Sequence, residues 1–266
     1  MTSHESEPTP DQNPLEVPAS VESAGEAELA STDRRHAAAL IWILTLTAGL
    51  AAGFGGWAAV ESIYGSYQPS VKSSTSTPNP EEAAVRDMGL RKAMIIEASL
   101  AFGTLGAVLG LTFGMAGGLA RRSFRGGLAA AAIGMMLGAA GGLAAGRILT
   151  PMHYNLSASI DDDLIVALVV QGAICAVVGA MAGAAFSLGL GEDDERFDFR
   201  LVAGGLLGAL AGLIVYQIAG VVAFPLDDTT LPISNTWGSR YLAKALVAGF
   251  AAIGVMLAMS ANTRAR

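Results

Sequence analysis

Residues 101–120 read AFGTLGAVLGLTFGMAGGLA, an apolar stretch in which glycine recurs at four-residue intervals. A second apolar stretch, residues 131–150, reads AAIGMMLGAAGGLAAGRILT and repeats that spacing. The two series of glycines are Gly106, Gly110, Gly114 and Gly118, followed by Gly134, Gly138, Gly142 and Gly146. Four residues is slightly more than one helical turn, so each series forms a stripe of bare backbone along one helix face.

Such stripes indicate helices that pack against one another inside a membrane. In an aqueous helix each interior glycine costs about 1 kcal/mol relative to alanine. In a bilayer, small residues let two backbones approach closely enough for van der Waals contact to hold them together. The stripes therefore predict close helix packing, within the chain or between copies of it, and mark all eight glycines as helix-packing residues.

The composition agrees with a membrane protein. Of the 266 residues, 52% are hydrophobic and only 15% are charged. Apolar stretches of eighteen or more residues recur along the chain, and each is long enough to cross about 30 Å of hydrocarbon. We predict an all-α, polytopic transmembrane bundle of six glycine- and alanine-rich helices with small-xxx-small packing. The expected spans are 37–62, 91–120, 125–149, 164–190, 200–223 and 240–261.

The first 35 residues differ from the rest of the chain. They contain eight acidic residues, four prolines and almost no large apolar side chains. Such a segment cannot bury enough apolar surface to offset chain entropy, so we expect a disordered, acidic cytoplasmic tail over 1–35 and a six-span domain over 36–266. The net charge of −7 argues against a nucleic-acid partner.

The orientation is predicted from the shortest turn. Arg121, Arg122 and Arg125 lie between the second and third predicted spans. Short arginine-rich loops remain on the cytoplasmic side, and fixing this turn inside fixes the other loops by parity. We therefore expect a multi-pass protein of the bacterial inner membrane with both termini in the cytoplasm.

Loops and acidic clusters separate the predicted spans. The segments 63–90 and 224–239 are rich in proline and polar residues, which predicts flexible excursions. Acidic clusters at 161–163 and 192–195 precede the fourth and fifth spans. Negative charge near a helix N-terminus is favourable. We expect these clusters to cap helices, because the spacing of an EF-hand calcium loop is missing.

Glycines of the second and third spans align with glycines of the fourth and fifth. Gly106 and Gly110 match Gly179 and Gly183, and the stripe of the third span matches Gly204, Gly208 and Gly212. Two explanations stay open. The chain could contain two parallel repeats, related by an axis along the membrane normal, or a chain rich in glycine and alanine could produce the alignment by chance.

Few polar side chains lie inside the predicted spans, and these are the candidate functional residues. They are Glu97, Gln171, Gln217 and Lys244, with Glu61 and Arg147 at span ends. In the predicted topology all of them fall in the outer third of the bilayer. One interpretation is a polar layer lining an outward-facing vestibule, with Glu97 and Lys244 as an ion pair. The other is snorkelling to the surface together with hydrogen bonding between helices.

The residues that common catalytic sites require are missing from the spans. The three histidines, at positions 4, 36 and 153, lie in the tail or in expected flanks and loops, and Cys175 is the single cysteine. Motifs such as HExxH, CxxC and GxxxxGK do not occur. We therefore expect no catalytic residues, metal or cofactor, and no enzymatic activity.

The leading functional hypothesis is an integral membrane protein with a structural or assembly role that depends on glycine-striped helix packing. The alternative is a small channel or transporter that uses the outward-facing polar layer. The expected partners are the lipid bilayer, and either further copies of the chain or other membrane proteins.

Overall fold

Six α-helices make up most of the molecule. The computed structural model describes residues 19–67, 80–157, 159–160, 162–191 and 198–265, and no β-strand occurs among them. The helices are α1 (Ala19–Ile63), α2 (Pro80–Ala120), α3 (Phe124–Ser157), α4 (Asp163–Leu190), α5 (Phe199–Ala223) and α6 (Trp237–Ala265). Each contains a segment long and apolar enough to cross a membrane. The predicted fold class, a multi-pass helical membrane protein, is confirmed.

The chain divides into two units, Met1–Leu40 and Ile41–Arg266. In the first unit the backbone is helical from Ala19 onward, where we expected disorder, and residues 1–18 lie outside the described part. The prolines of this region end at Pro18. The segment that follows is rich in alanine and glutamate, which are strong helix formers.

Several helices are longer than the predicted spans. Helix α2 has 41 residues, so it measures about 60 Å, roughly twice the thickness of the hydrocarbon layer. We expected residues 63–90 to form a flexible loop, but the chain from Pro80 onward is helical and continuous with the span. Proline is tolerated at the first turn of a helix, and the alanine, glutamate and arginine that follow favour one. Residues 68–79 of that loop lie outside the described part. Helix α3 continues through Pro151 to Ser157, where we expected a loop after residue 149. A proline in a helix removes one backbone hydrogen bond, and α3 continues past it.

The glycine stripes of α2 and α3 face each other along an antiparallel seam. A Cβ atom added at Gly106 would collide with the backbone of Gly138, and one added at Gly110 would collide with the backbone of Gly134. At Gly114 the added atom would lie 2.6 Å from the carbonyl of Ala130. The remaining members, Gly118, Gly142 and Gly146, meet the backbones of Gly127, Phe102 and Ser99. All eight striped glycines therefore lie at this one interface, backbone against backbone.

The other seams do not follow the proposed repeat. In the proposed repeat, α4 would pack against the α5 glycines that align with the α3 stripe. Gly179 of α4 instead meets Gly205, which is not part of that α5 stripe. The glycines of that α5 stripe instead meet the backbone of α6; they are Gly204, Gly208 and Gly212. Equivalent spacing along two helices does not fix which neighbour a stripe faces, because that depends on how the whole bundle packs.

Large apolar side chains fill the centre of the bundle. Phe113 of α2 and Phe186 of α4 are fully buried, with ring centroids 6.3 Å apart in an edge-to-face arrangement. Leu105, Leu109 and Ile174 are also fully buried. Between α2 and α4, Gly117 and Gly189 let the backbones approach closely.

Aspartate side chains cap the N-termini of α4 and α5. The Asp162 side chain accepts hydrogen bonds from the backbone N–H groups of Leu164 and Ile165, at 3.1 and 3.2 Å. This confirms the expected capping role of the first acidic cluster. The cluster at 192–195 lies outside the described residues, and Asp198 caps α5 through the backbone N–H of Arg200.

Candidate functional site at the polar end

Most of the buried polar side chains among the described residues lie at one end of the bundle. Here α1, α3 and α5 end, α2, α4 and α6 begin, and the loop 224–236 connects α5 to α6. We call this region the polar end. The four predicted site residues are all buried; they are Glu97, Gln171, Gln217 and Lys244. Their side chains make three different kinds of contact.

The two glutamines bind each other and the loop. Gln217 Nε2 donates to Gln171 Oε1 at 3.2 Å and to the carbonyl of Thr229 at 3.2 Å. Gln171 Nε2 donates to the carbonyls of Thr230 and Leu231, both at 2.9 Å. These bonds join α4, α5 and the loop, and they satisfy loop carbonyls that would otherwise be buried unpaired.

The loop 224–236 is therefore not the flexible excursion that its sequence predicted. Thr229 and Ser234 are buried within it. The Asp227 carboxylate accepts from the backbone N–H of Asn235 and from the hydroxyl of Thr236, at 3.1 and 2.8 Å. Proline and aspartate mark a turn, but they do not reveal whether the turn lies over the bundle or extends into solvent.

The Asp227 carboxyl has a lowered pKa. Partial burial opposes the shift, but hydrogen bonds from Thr236, Ser239 and Asn235 outweigh it. A lowered folded-state pKa means that ionised Asp227 stabilises the folded loop above its unfolded pKa. That stabilisation is lost as the pH falls through the folded-state pKa.

Glu97 does not pair with Lys244, so the predicted ion pair is wrong. Glu97 Oε1 instead accepts from the backbone N–H of Gly65, at 3.0 Å. Gly65 has φ of +77° in the turn after α1, a conformation that glycine adopts without strain. Both predicted partners are buried at the same end of the bundle, but Glu97 holds the α1 turn while Lys244 points elsewhere.

The ion pair at this end joins α1 to α6. Arg240 donates from Nε and Nη2 to the carboxylate of Glu61, at 2.8 to 3.1 Å. Its Nη1 donates to the carbonyls of Ser234 and Asn235, at 2.9 and 2.8 Å. The guanidinium also lies 3.7 Å from the ring centroid of Tyr64. Arg240 thus binds a second helix and the loop at once.

The sequence pointed to Glu61 but not to Arg240. An arginine in the first turn of a membrane helix ordinarily snorkels to the interface, so it gave no signal of burial. The clue available in the sequence was Glu61, an acidic residue at a span end that needs a cation.

A short chain of hydroxyl groups runs beside this pair. The Tyr216 hydroxyl is hydrogen-bonded to Ser234 Oγ and, at 2.8 Å, to Ser239 Oγ. Ser239 in turn interacts with Asp227. The chain links α5, α6 and the loop, and none of its hydroxyl groups is exposed.

Lys244 lines a small cavity beneath the loop. The cavity has a volume of about 40 Å³, and its walls include Gln171, Cys175, Tyr216 and Ile233. The Lys244 ammonium lies 5.2 Å from the ring centroid of Phe102. Within the described part of the chain it has no hydrogen-bond acceptor and no carboxylate partner.

Other buried polar atoms lie nearby without a partner among the described residues. On α3 they are Thr150 Oγ1, His153 Nδ1 and Ser157 Oγ. Positions 150, 153 and 157 share one helix face. We expected His153 in a loop after the third span, and the structure instead places it within α3.

No group of three or more histidine, cysteine, aspartate or glutamate side chains that could hold a metal ion occurs among the described residues. Arg147, the other polar residue named at a span end, is exposed.

Comparison with known proteins found no matching family model, no similar curated protein and no similar solved structure.

Proposed function

We propose that this chain is a non-catalytic integral membrane protein with a structural or assembly role. The observation that carries the proposal is the α2–α3 seam, where eight glycines place two backbones in direct contact. Such a seam gives a rigid unit at the cost of helix propensity. Such rigidity suits a protein that holds a fixed shape in the bilayer. That shape would be presented to lipids, to other proteins or to further copies of the chain.

The packing of the bundle supports the same proposal. Phe113, Phe186 and Ile174 fill the centre at full burial, and a solute pathway would have to open between them. At the polar end, Gln171, Gln217 and Arg240 attach the loop 224–236 to the helices. Conduction would require both of these packed regions to rearrange.

We propose the bacterial inner membrane as the location, with both termini in the cytoplasm. The support is the turn between α2 and α3, where Arg121, Arg122 and Arg125 are all exposed. Exposed arginines in a short loop favour the cytoplasmic side. The polar end then faces outward.

A flux assay tests the structural role. The purified full-length chain is reconstituted into liposomes, and the fluxes of Na⁺, K⁺, Cl⁻ and protons are compared with those of protein-free vesicles. The proposal predicts no difference for any ion. A flux above that of protein-free vesicles would contradict the structural role. If Lys244→Met changes that flux and Lys92→Met does not, the protein has a transport function instead.

The second candidate, a channel or transporter, is favoured by one observation. Lys244 is a buried cation that faces a cavity at the polar end without a partner among the described residues. Intramembrane charges commonly mark ion pathways. If this function holds, the loop 224–236 has to move away from the helices during transport.

A further inference from the structure

We propose that the cavity beneath the loop 224–236 binds one small monovalent anion of halide size, held by the Lys244 ammonium. The inference goes beyond the structural role, since an anion could stabilise the polar end whether or not the protein transports anything. It depends on the charge balance around Lys244, on the donors of the cavity wall and on the cavity volume.

The charge of Lys244 is not balanced by the protein. Its side chain is only 8% exposed. The nearest cation, Arg240, is matched by the bidentate contact with Glu61. Glu97 is bound to the turn after α1 and lines a separate small cavity with Tyr64. The residues that line the Lys244 cavity, counted together with Glu61, therefore carry a net charge of about +1 when the lysine is protonated. The Asp227 carboxylate does not line the cavity and reaches its wall only through Ser239 and Tyr216.

An unpaired charge in such a place is costly. Removing an ammonium from water without a counter-ion costs several kcal/mol even after the protein relaxes. The side-chain acceptors nearby do not supply that counter-ion. Of the acceptors on the cavity wall, Gln171 Oε1 already accepts from Gln217, and the Tyr216 hydroxyl is already bonded to two serines. Gln217 Oε1 has no partner among the described residues, but Gln217 does not line the cavity. A bound anion would remove the penalty.

Three residues of the cavity wall also have backbone N–H groups that donate no hydrogen bond within the described part of the chain. Leu231, Ile233 and Ser234 line the cavity. Among the hydrogen bonds of the described residues, none is donated by the backbone N–H of these three. Loop amides close to a cation are common components of a small anion site, and here Pro232, which has no N–H, separates Leu231 from Ile233 and Ser234.

The volume limits the ligand. About 40 Å³ is room for roughly three or four water-sized particles, because about 10–15 Å³ on this measure holds one water. A chloride or bromide ion with one water fits this space. So small a volume favours a halide over phosphate, sulfate or a lipid headgroup.

Thermal unfolding tests the site. The midpoint of the purified full-length chain in detergent is measured in sodium gluconate and in sodium chloride at equal ionic strength. A ligand that binds only the folded state raises the midpoint as its concentration exceeds the dissociation constant. We expect the midpoint to rise saturably with chloride, and bromide to substitute for chloride.

Two variants locate the effect. Lys244→Met keeps a long apolar side chain and removes the charge, so it should fold and lose the dependence on chloride. Lys92→Met removes an exposed lysine of α2 and should keep the dependence on chloride. A chloride dependence that survives Lys244→Met would overturn the proposal, since the ion would then bind elsewhere.

A direct measurement keeps the proposal falsifiable if Lys244→Met does not fold. The ³⁵Cl NMR line of the wild-type sample should broaden with protein concentration, and bromide should reverse the broadening. The absence of broadening, together with equal midpoints in chloride and gluconate, would overturn the proposal. Liposome flux at the level of protein-free vesicles would leave it standing, so the two proposals fail separately.

Discussion

Arg240 makes more polar contacts than any other side chain that we describe at the polar end. It binds Glu61 on α1, two carbonyls of the loop and the face of Tyr64. A planar guanidinium is suited to this role because its five N–H groups point in fixed directions. Lysine at the same position would replace those directed bonds with a single point charge.

Removing the partner of Arg240 should destabilise the protein. Glu61→Gln leaves a buried guanidinium without its counter-ion. Breaking a fully buried pair costs 3–5 kcal/mol, and we expect roughly 2 kcal/mol because Glu61 is partly exposed. Denaturant titration in detergent measures the loss. Glu81→Gln, which changes an exposed glutamate of α2, is the control, and an equally small loss for both variants would contradict the assigned role of the pair.

At the scale of elements, the loop 224–236 is attached to helices that are distant in sequence. Gln171 satisfies two of its carbonyls from α4, and Gln217 satisfies a third from α5. The loop has no regular structure of its own. Its order therefore depends on these side chains, and a change in a helix should appear as a change in the loop.

Gln171→Leu should loosen the loop without unfolding the helices. The variant leaves two half-buried carbonyls unpaired, and we expect about tenfold faster hydrogen exchange, equivalent to about 1.4 kcal/mol. The reporting amides are those of Thr230, Asn235 and Thr236, which are bonded to Asp228 and Asp227. Thr112→Val, whose hydroxyl bonds only within α2, is the control. Unchanged exchange in Gln171→Leu would show that the glutamines do not hold the loop.

The helices and the α2 and α3 stripes could be predicted because their signal is local. A spacing of four residues places Gly106 and Gly110 on one face whatever surrounds them. The loop contacts could not be predicted, because the carbonyl partners of Gln171 lie 59 and 60 positions away. The Glu61–Arg240 pair spans 179 positions. The predicted pairing of Glu97 with Lys244 used charge alone, and charge does not specify direction.

At the scale of the whole molecule, the proposed orientation separates the two ends of α2. Residue 82 lies near its start, toward the polar end, and residue 123 lies in the turn that follows it. If both termini are cytoplasmic, a membrane-impermeant maleimide should label Glu82→Cys in intact cells and Ser123→Cys only after permeabilisation. Cys175 is buried and gives little background. Labelling of both positions from the same side would contradict the topology.

The close contact between α2 and α3 is the central claim about the molecule, and two alanine substitutions test it. Gly110→Ala places a methyl group against the backbone of Gly134, whereas an atom added at Gly249 meets nothing within 4 Å. Both changes gain the same helix propensity. Thermal and denaturant unfolding should therefore show a loss of about 2 kcal/mol for Gly110→Ala, and no loss for Gly249→Ala. Equal stabilities for the two variants would contradict the claim that this backbone seam holds the bundle together.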